Sequence, residues 1–147
     1  MTTRRVAAML LPLLCAACGS STPASPSTTG TTAASVAPAS LSETYSGTLP
    51  VAGAKFYSFT VVQNGTVNVT LASLDGPDIT ADTTVDVAIG KPAGFGCTPQ
   101  TSATVSTGTA PPHVTGTFAP GVYCARIADT TGILPAAAAF SISIEHS

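Results

Sequence analysis

The segment Thr66-Val67-Asn68-Val69-Thr70-Leu71 alternates polar and apolar residues one for one. Successive side chains of an extended strand point to opposite faces, so this order buries Val67, Val69 and Leu71 and leaves the other face wet. The same period recurs through the chain. Lys55 to Val61 carries Tyr57, Phe59 and Val61 on one side, and Val85, Val87 and Ile89 interleave with Asp86 and Ala88. Phe140, Ile142 and Ile144 alternate with Ser141, Ser143 and Glu145. Val114 to Phe118 and Val122 to Ala128 read as two more strands, joined by the turn Ala119-Pro120-Gly121. Between Val61 and Thr66 stands Asn64-Gly65, the strongest short hairpin signal, which predicts a hairpin there. Helical spacing is absent from this region apart from the short alanine-rich run Pro135 to Ala139. The expectation is an all-β fold: a single β-sandwich of about seven or eight antiparallel strands.

The amino-terminal segment follows different rules. Met1 to Arg5 carries Arg4 and Arg5, and Val6 to Ala17 reads VAAMLLPLLCAA. A basic head, a short apolar core and small residues at its end make a secretory leader. The core is about a dozen residues, short of the roughly 20 that a membrane-spanning helix needs. The closing string Cys15-Ala16-Ala17-Cys18 resembles the lipobox of bacterial lipoproteins, with Cys15 at the position where Leu is usual. That resemblance implies cleavage before Cys18, a diacylglycerol on its sulfur and a palmitate-type acyl chain on its new amino group. Residues 1–17 would then be discarded, Cys15 among them. A thioredoxin-like redox pair would need a flanking α/β unit, and a zinc site two further ligands at suitable spacing; neither stands nearby. Gly19 follows in place of the Asp that favours inner-membrane retention. The implied address is a bacterial cell envelope, lipid-anchored at the outer membrane or another periplasm-facing membrane surface.

Residues 18–40 carry no charge and consist almost wholly of Ser, Thr, Ala, Pro and Gly. Such a run cannot bury enough apolar area to offset the entropy of ordering, and it reads as a flexible tether with a mean span on the order of 26 Å.

Residues 41–147 are one domain's worth of chain. Beyond the leader only Lys55, Lys91 and Arg126 are basic, against seven acids, so no footprint for nucleic acid is present. Cys97 and Cys124 are the only cysteines of this part. In an oxidising compartment they form a disulfide, the rival reading being a reactive or metal-binding pair. Closing a loop of about 28 residues contributes roughly 3.5 kcal/mol in the chain-entropy model.

Tyr45-Ser-Gly-Thr-Leu49, Ala54-Lys-Phe-Tyr-Ser-Phe-Thr-Val61, Asn64-Gly-Thr-Val-Asn-Val-Thr-Leu71 and Phe118-Ala-Pro-Gly-Val-Tyr-Cys-Ala-Arg-Ile127 together resemble the bacterial pre-peptidase C-terminal domain. The likeness spans most of Ser42 to His146 and implies a jelly-roll-like sandwich of the kind found beside secreted peptidases. No peptidase accompanies it here. Val122-Tyr-Cys-Ala-Arg126 also looks like the end of an antibody variable domain, but this chain has no Trp to pack on the disulfide.

Catalytic signatures are missing. No G-x-S-x-G elbow, P-loop, dinucleotide fingerprint or H-E-x-x-H occurs, and of the two histidines His113 follows Pro111-Pro112 while His146 ends the chain but for one residue. Asp75, Asp78, Asp82 and Asp86 form an acidic stretch that reads as turn residues, with a weak calcium site as the alternative. Sugar platforms rest on exposed aromatics, and Tyr45, Tyr57 and Tyr123 all fall in strand motifs. The expected function is a non-enzymatic, monomeric interaction or accessory module without cofactor, held on a membrane by the lipid on Cys18. Its ligand would be a protein, a peptide or a glycan. The alternative is a hydrolase, or a hydrolase inhibitor, with a site built from sandwich loops.

Overall fold

The structure, a computed structural model, describes residues 39–147. The leader, Cys18 and nearly all of the tether lie outside these residues. Eight strands follow one another: β1 Leu41–Leu49, β2 Ala54–Val61, β3 Gly65–Asp75, β4 Val85–Ala93, β5 Gly96–Val105, β6 Val114–Phe118, β7 Gly121–Ala128 and β8 Ala138–His146. They form two four-stranded antiparallel sheets in the orders β1-β8-β3-β6 (sheet A) and β2-β7-β4-β5 (sheet B). This order is that of an eight-stranded jelly roll.

The alternation seen in the sequence decides which residues face inward. Sheet A contributes Leu49, Val67, Val69, Leu71, Val114, Phe140, Ile142 and Ile144, all buried. Sheet B answers with Phe59, Val61, Val85, Val87, Ile89, Tyr123, Ala125 and Ile127, and the two sets form one hydrophobic core. One break in the period is repaired locally. Leu71 and Leu74 are three residues apart yet both buried, because a bulge at Ala72 shifts the register against β8. An extra residue in one strand flips the following side chains back to the core face.

Three features differ from the sequence reading. The Asn64-Gly65 turn is present, but it carries the chain from sheet B to sheet A and forms no hairpin. Only β4 and β5 are consecutive in sequence and paired in space. Their turn centres on Gly94 and Phe95, with Gly94 at φ +56°, the left-handed conformation that Gly adopts without strain. Second, Cys97 lies in a strand, Gly96–Val105, where the sequence reading places none. It escapes the period-two test because it is an edge strand of small and polar residues, including Pro99, which an edge tolerates. Third, β1 extends from Leu41, well upstream of the Tyr45 motif.

Cys97 and Cys124 sit at disulfide distance, S–S 2.08 Å, on strands that are not neighbours, since β4 runs between β5 and β7. Strands two apart are separated by about 9.5 Å, twice the usual spacing. The two Cα atoms are only 6.0 Å apart. Gly90 permits this. The β4–β5 register shifts there, and β5 rides over it so closely that a Cβ on Gly90 would lie 2.0 Å from the Thr98 carbonyl oxygen. Gly90 also pairs with Cys124, so the bridge reaches across β4 at its one bare position. Cys124 is fully buried, although its neighbours Tyr123 and Ala125 are the ones that face the core.

Gly90→Ala should therefore lower unfolding stability by about 2–3 kcal/mol, because the obstacle is backbone and cannot swing aside. Gly96→Ala, where a Cβ would meet nothing closer than 3.7 Å, should change it by less than about 1 kcal/mol. Denaturant unfolding of the two variants measures this, and equal losses would contradict the crossing.

Candidate functional site

Three polar groups lie inside the sandwich or at its rim, and each is bonded in a way that decides what it can do. Asp129 follows β7 and is almost fully buried. Its Oδ2 accepts the N–H groups of Ala52 at 2.9 Å and Leu134 at 3.3 Å, and its Oδ1 that of Ile133 at 2.9 Å. Its own N–H donates to the Gly53 carbonyl. Burial alone would raise its pKa, but these backbone donors, with Gly132, hold the carboxyl below its usual 3.8. The carboxylate thus ties the β1–β2 turn to the β7–β8 loop.

At the opposite end, Glu43 of β1 faces His146 of β8. His146 Nε2 bonds Glu43 Oε1 at 2.8 Å, and the Tyr45 hydroxyl donates to the other carboxylate oxygen. The bond from Tyr45, and then that from His146, lowers the Glu43 pKa from its usual 4.5. The same carboxylate pushes the Tyr45 hydroxyl up to about 12. His146 is buried against Phe59, ring centroids 5.1 Å apart, and its Nδ1 has no hydrogen-bond partner among the described residues. Tyr45 stacks on Tyr57 at 4.6 Å, and Tyr57 donates to the Ser46 carbonyl, so the edges of the two sheets are clasped here.

His113 occupies the loop before β6. Its Nδ1 accepts the Leu71 N–H at 2.8 Å and its Nε2–H donates to the Thr109 carbonyl at 3.0 Å. The backbone ladder between β3 and β6 ends at Val69 and Val114, and the imidazole takes the next donor in line. It extends the sheet.

The acidic stretch does not converge. Asp75 ends β3 at the surface, while Asp78 and Asp82 are exposed in the loop that follows, Asp78 at φ +61°. Asp86 accepts from Thr104 Oγ1 at 2.6 Å and from Thr130 Oγ1. Among the described residues no three His, Cys, Asp or Glu side chains come together to hold a metal ion. A cavity of about 50 Å³ opens beside Asp86 and Asp129, lined also by Thr84, Thr104, Thr130 and Thr131. It has room for water, and the Asp129 carboxylate beside it is already occupied by backbone donors.

What remains is a surface, on which Thr115 Oγ1 donates to Asn68 Oδ1 at 2.7 Å and the Ser42 and Ser143 hydroxyls lie 3.5 Å apart. The outward positions of sheet A include Ser42, Thr44, Ser46 and Thr48 on β1, and Ala139, Ser141 and Ser143 on β8. Asn68, Thr70 and Ser73 on β3 and Thr115 and Thr117 on β6 continue it. Register places them in rows across the sheet, such as Thr44–Ser143–Thr70 and Ser46–Ser141–Ser73. Glu145 and Asp75 stand at its two ends, and it carries no cation and no aromatic ring. Sequence reading found the alternation that builds this face but passed over its outward half. It also passed over Asp129, whose local sign is an Asp three residues before Gly132 in a turn.

Because the folded pKa values of Asp129 and Glu43 are lowered, the stability they contribute is present above about pH 4.5 and is lost as pH falls through the lowered values. Asp129→Asn should cost about 2–4 kcal/mol at pH 7, since an amide turns donors towards donors, and should flatten the acid limb of a stability–pH profile. An unchanged acid limb would contradict the assignment. His113→Ala should cost about 1–2 kcal/mol by leaving the Leu71 N–H without its acceptor, measured by the same unfolding experiment. Comparison with protein-family models, with curated proteins and with solved structures finds no match to this chain.

Proposed function

We propose that this chain is a lipid-anchored, non-enzymatic accessory module of a bacterial envelope, held at the membrane through Cys18 and presenting sheet A to a glycan. The observation that carries the binding reading is the outer face of sheet A, a broad array of Ser and Thr hydroxyls without cations or large apolar groups. Each hydroxyl both donates and accepts, as the hydroxyls of a polysaccharide do. Single contacts of this kind are weak, and many together on one rigid face add by multivalency. The absence of basic residues from the face argues against an acidic or nucleic-acid ligand. Tyr57 and Tyr123 are committed elsewhere: Tyr123 donates to the Ala119 carbonyl at 3.0 Å and packs on Phe118. The non-enzymatic reading is supported by the same economy of groups. The imidazole nitrogens of His113 and the carboxylate of Asp129 are held by backbone, and Glu43 by Tyr45 and His146. The likeness to the pre-peptidase C-terminal domain, whose motifs fall on β1, β2, β3 and β6–β7, points to an accessory role as well.

Co-sedimentation with insoluble cell-wall glycans, run beside peptide, ester and glycoside substrate panels, tests this. The chain should pellet with glycan and turn over nothing. Thr70→Lys, in the middle of the face, should weaken pelleting several-fold without altering the unfolding midpoint. Turnover of a substrate, or capture by a protein or peptide with no glycan affinity, would contradict the reading.

A further inference from the structure

Both ends of the sandwich carry exposed residues, and they differ in kind. The chain enters at Leu41, opposite His146, and the Val62 N–H donates to the Ser147 carbonyl, so the β2–β3 connection lies at the same end. The β6–β7 turn and the tip of the β4–β5 hairpin close that end as well. Leu41, Val62, Phe95 and Val122 all lie at that end, each more than half exposed, with Phe95 wholly so. Among them stands Lys91, its Nζ 3.5 Å from the centroid of Tyr123 and 3.4 Å from the Val122 carbonyl. The Leu41 end also holds Glu145 and Glu43, the latter bonded to Tyr45 and His146, while every aspartate of the chain lies at or beside the other end: Asp75 at the end of β3, Asp78 and Asp82 in the β3–β4 loop, Asp86 at the start of β4 and Asp129 after β7. Val51 and Ile133, exposed aliphatics of that end, share it with these carboxylates.

We infer that the end bearing Leu41, Val62, Phe95 and Val122 is a membrane-contacting surface, which seats the domain on the bilayer with its aspartates pointing away. The inference rests on the anchoring through Cys18 proposed above. The partner follows from chemistry and connectivity. Aliphatic and aromatic side chains enter the interface between headgroups and acyl chains, and a Lys beside them is drawn to anionic lipid. The tether joins the domain at this end, which makes the contact intramolecular, so even a weak affinity is satisfied at high effective concentration. A domain seated this way holds its strands upright and turns the hydroxyl face of sheet A sideways, clear of the lipid.

The chain has no Trp, so a single introduced one reports its own surroundings. Phe95→Trp and Ile133→Trp variants of the full chain are compared on phosphatidylethanolamine–phosphatidylglycerol vesicles with and without brominated acyl chains. Phe95→Trp should shift to the blue and lose half or more of its emission to the bromines, while Ile133→Trp keeps the emission it has in water. Equal quenching of the two, or none in either while the chain floats with vesicles, would overturn the inference and leave the anchor standing. A chain that does not float overturns the anchor. The same pair is then coupled to a maleimide lipid through the Cys18 thiol, and the same contrast decides the seating.

Discussion

Neither sheet of this sandwich can bury its apolar face without the other. Of the connections between consecutive strands, all but β4–β5 pass from one sheet to the other, so each crossing brings a strand of one sheet into place against a strand of its opposite. The core is correspondingly mixed, with Val67, Val69, Ile142 and Ile144 of sheet A packed with Phe59, Val87, Ile89 and Ile127 of sheet B. The polar bonds reinforce the same interlock. Asp129 holds two crossing connections together at one end, and the Tyr45–Tyr57 stack clasps the first strands of the two sheets along their shared edge. The disulfide acts within sheet B alone, fastening the one hairpin that does not cross.

The strands with a strict apolar period were legible from residue order: β2, β3, β4, β6, β7 and β8 each begin or end within a few residues of where the alternation places them. Their inward residues are buried as the alternation requires. Strand β5 was not legible, because an edge strand of Thr, Ser and Pro has no apolar stripe to reveal it. The turn at Asn64-Gly65 was legible as a turn, but turn chemistry is local and does not say which sheet the next strand will join. The same limit applies to the polar groups. What makes Asp129 a buried pin is the N–H of Ala52, 77 residues upstream, and what occupies His113 is the N–H of Leu71, 42 residues away. Such partners belong to topology. A local scan for motifs weighs the visible acidic run at Asp75–Asp86 and misses the single acid that the fold encloses.

Taken as chemistry, the domain is quiet inside and specialised outside. The His113 imidazole and the buried Asp129 carboxylate are spent on completing the sheets and loops. The domain's surface is partitioned into a hydroxyl face, an apolar end that also carries Lys91, Glu43 and Glu145, and an end that holds all the aspartates. That division suits a part displayed in a fixed attitude close to a bilayer; under the anchoring proposed above, a lipid on Cys18 would orient the domain as well as retain it.

The attachment itself is the claim on which this reading turns. Intact-mass spectrometry of the chain extracted from the membranes of its host measures it directly. The account predicts a chain that begins at Cys18 and is heavier than the bare peptide by a diacylglycerol and an acyl chain. A chain beginning at Met1, or one beginning at Cys18 with no added mass, would contradict it.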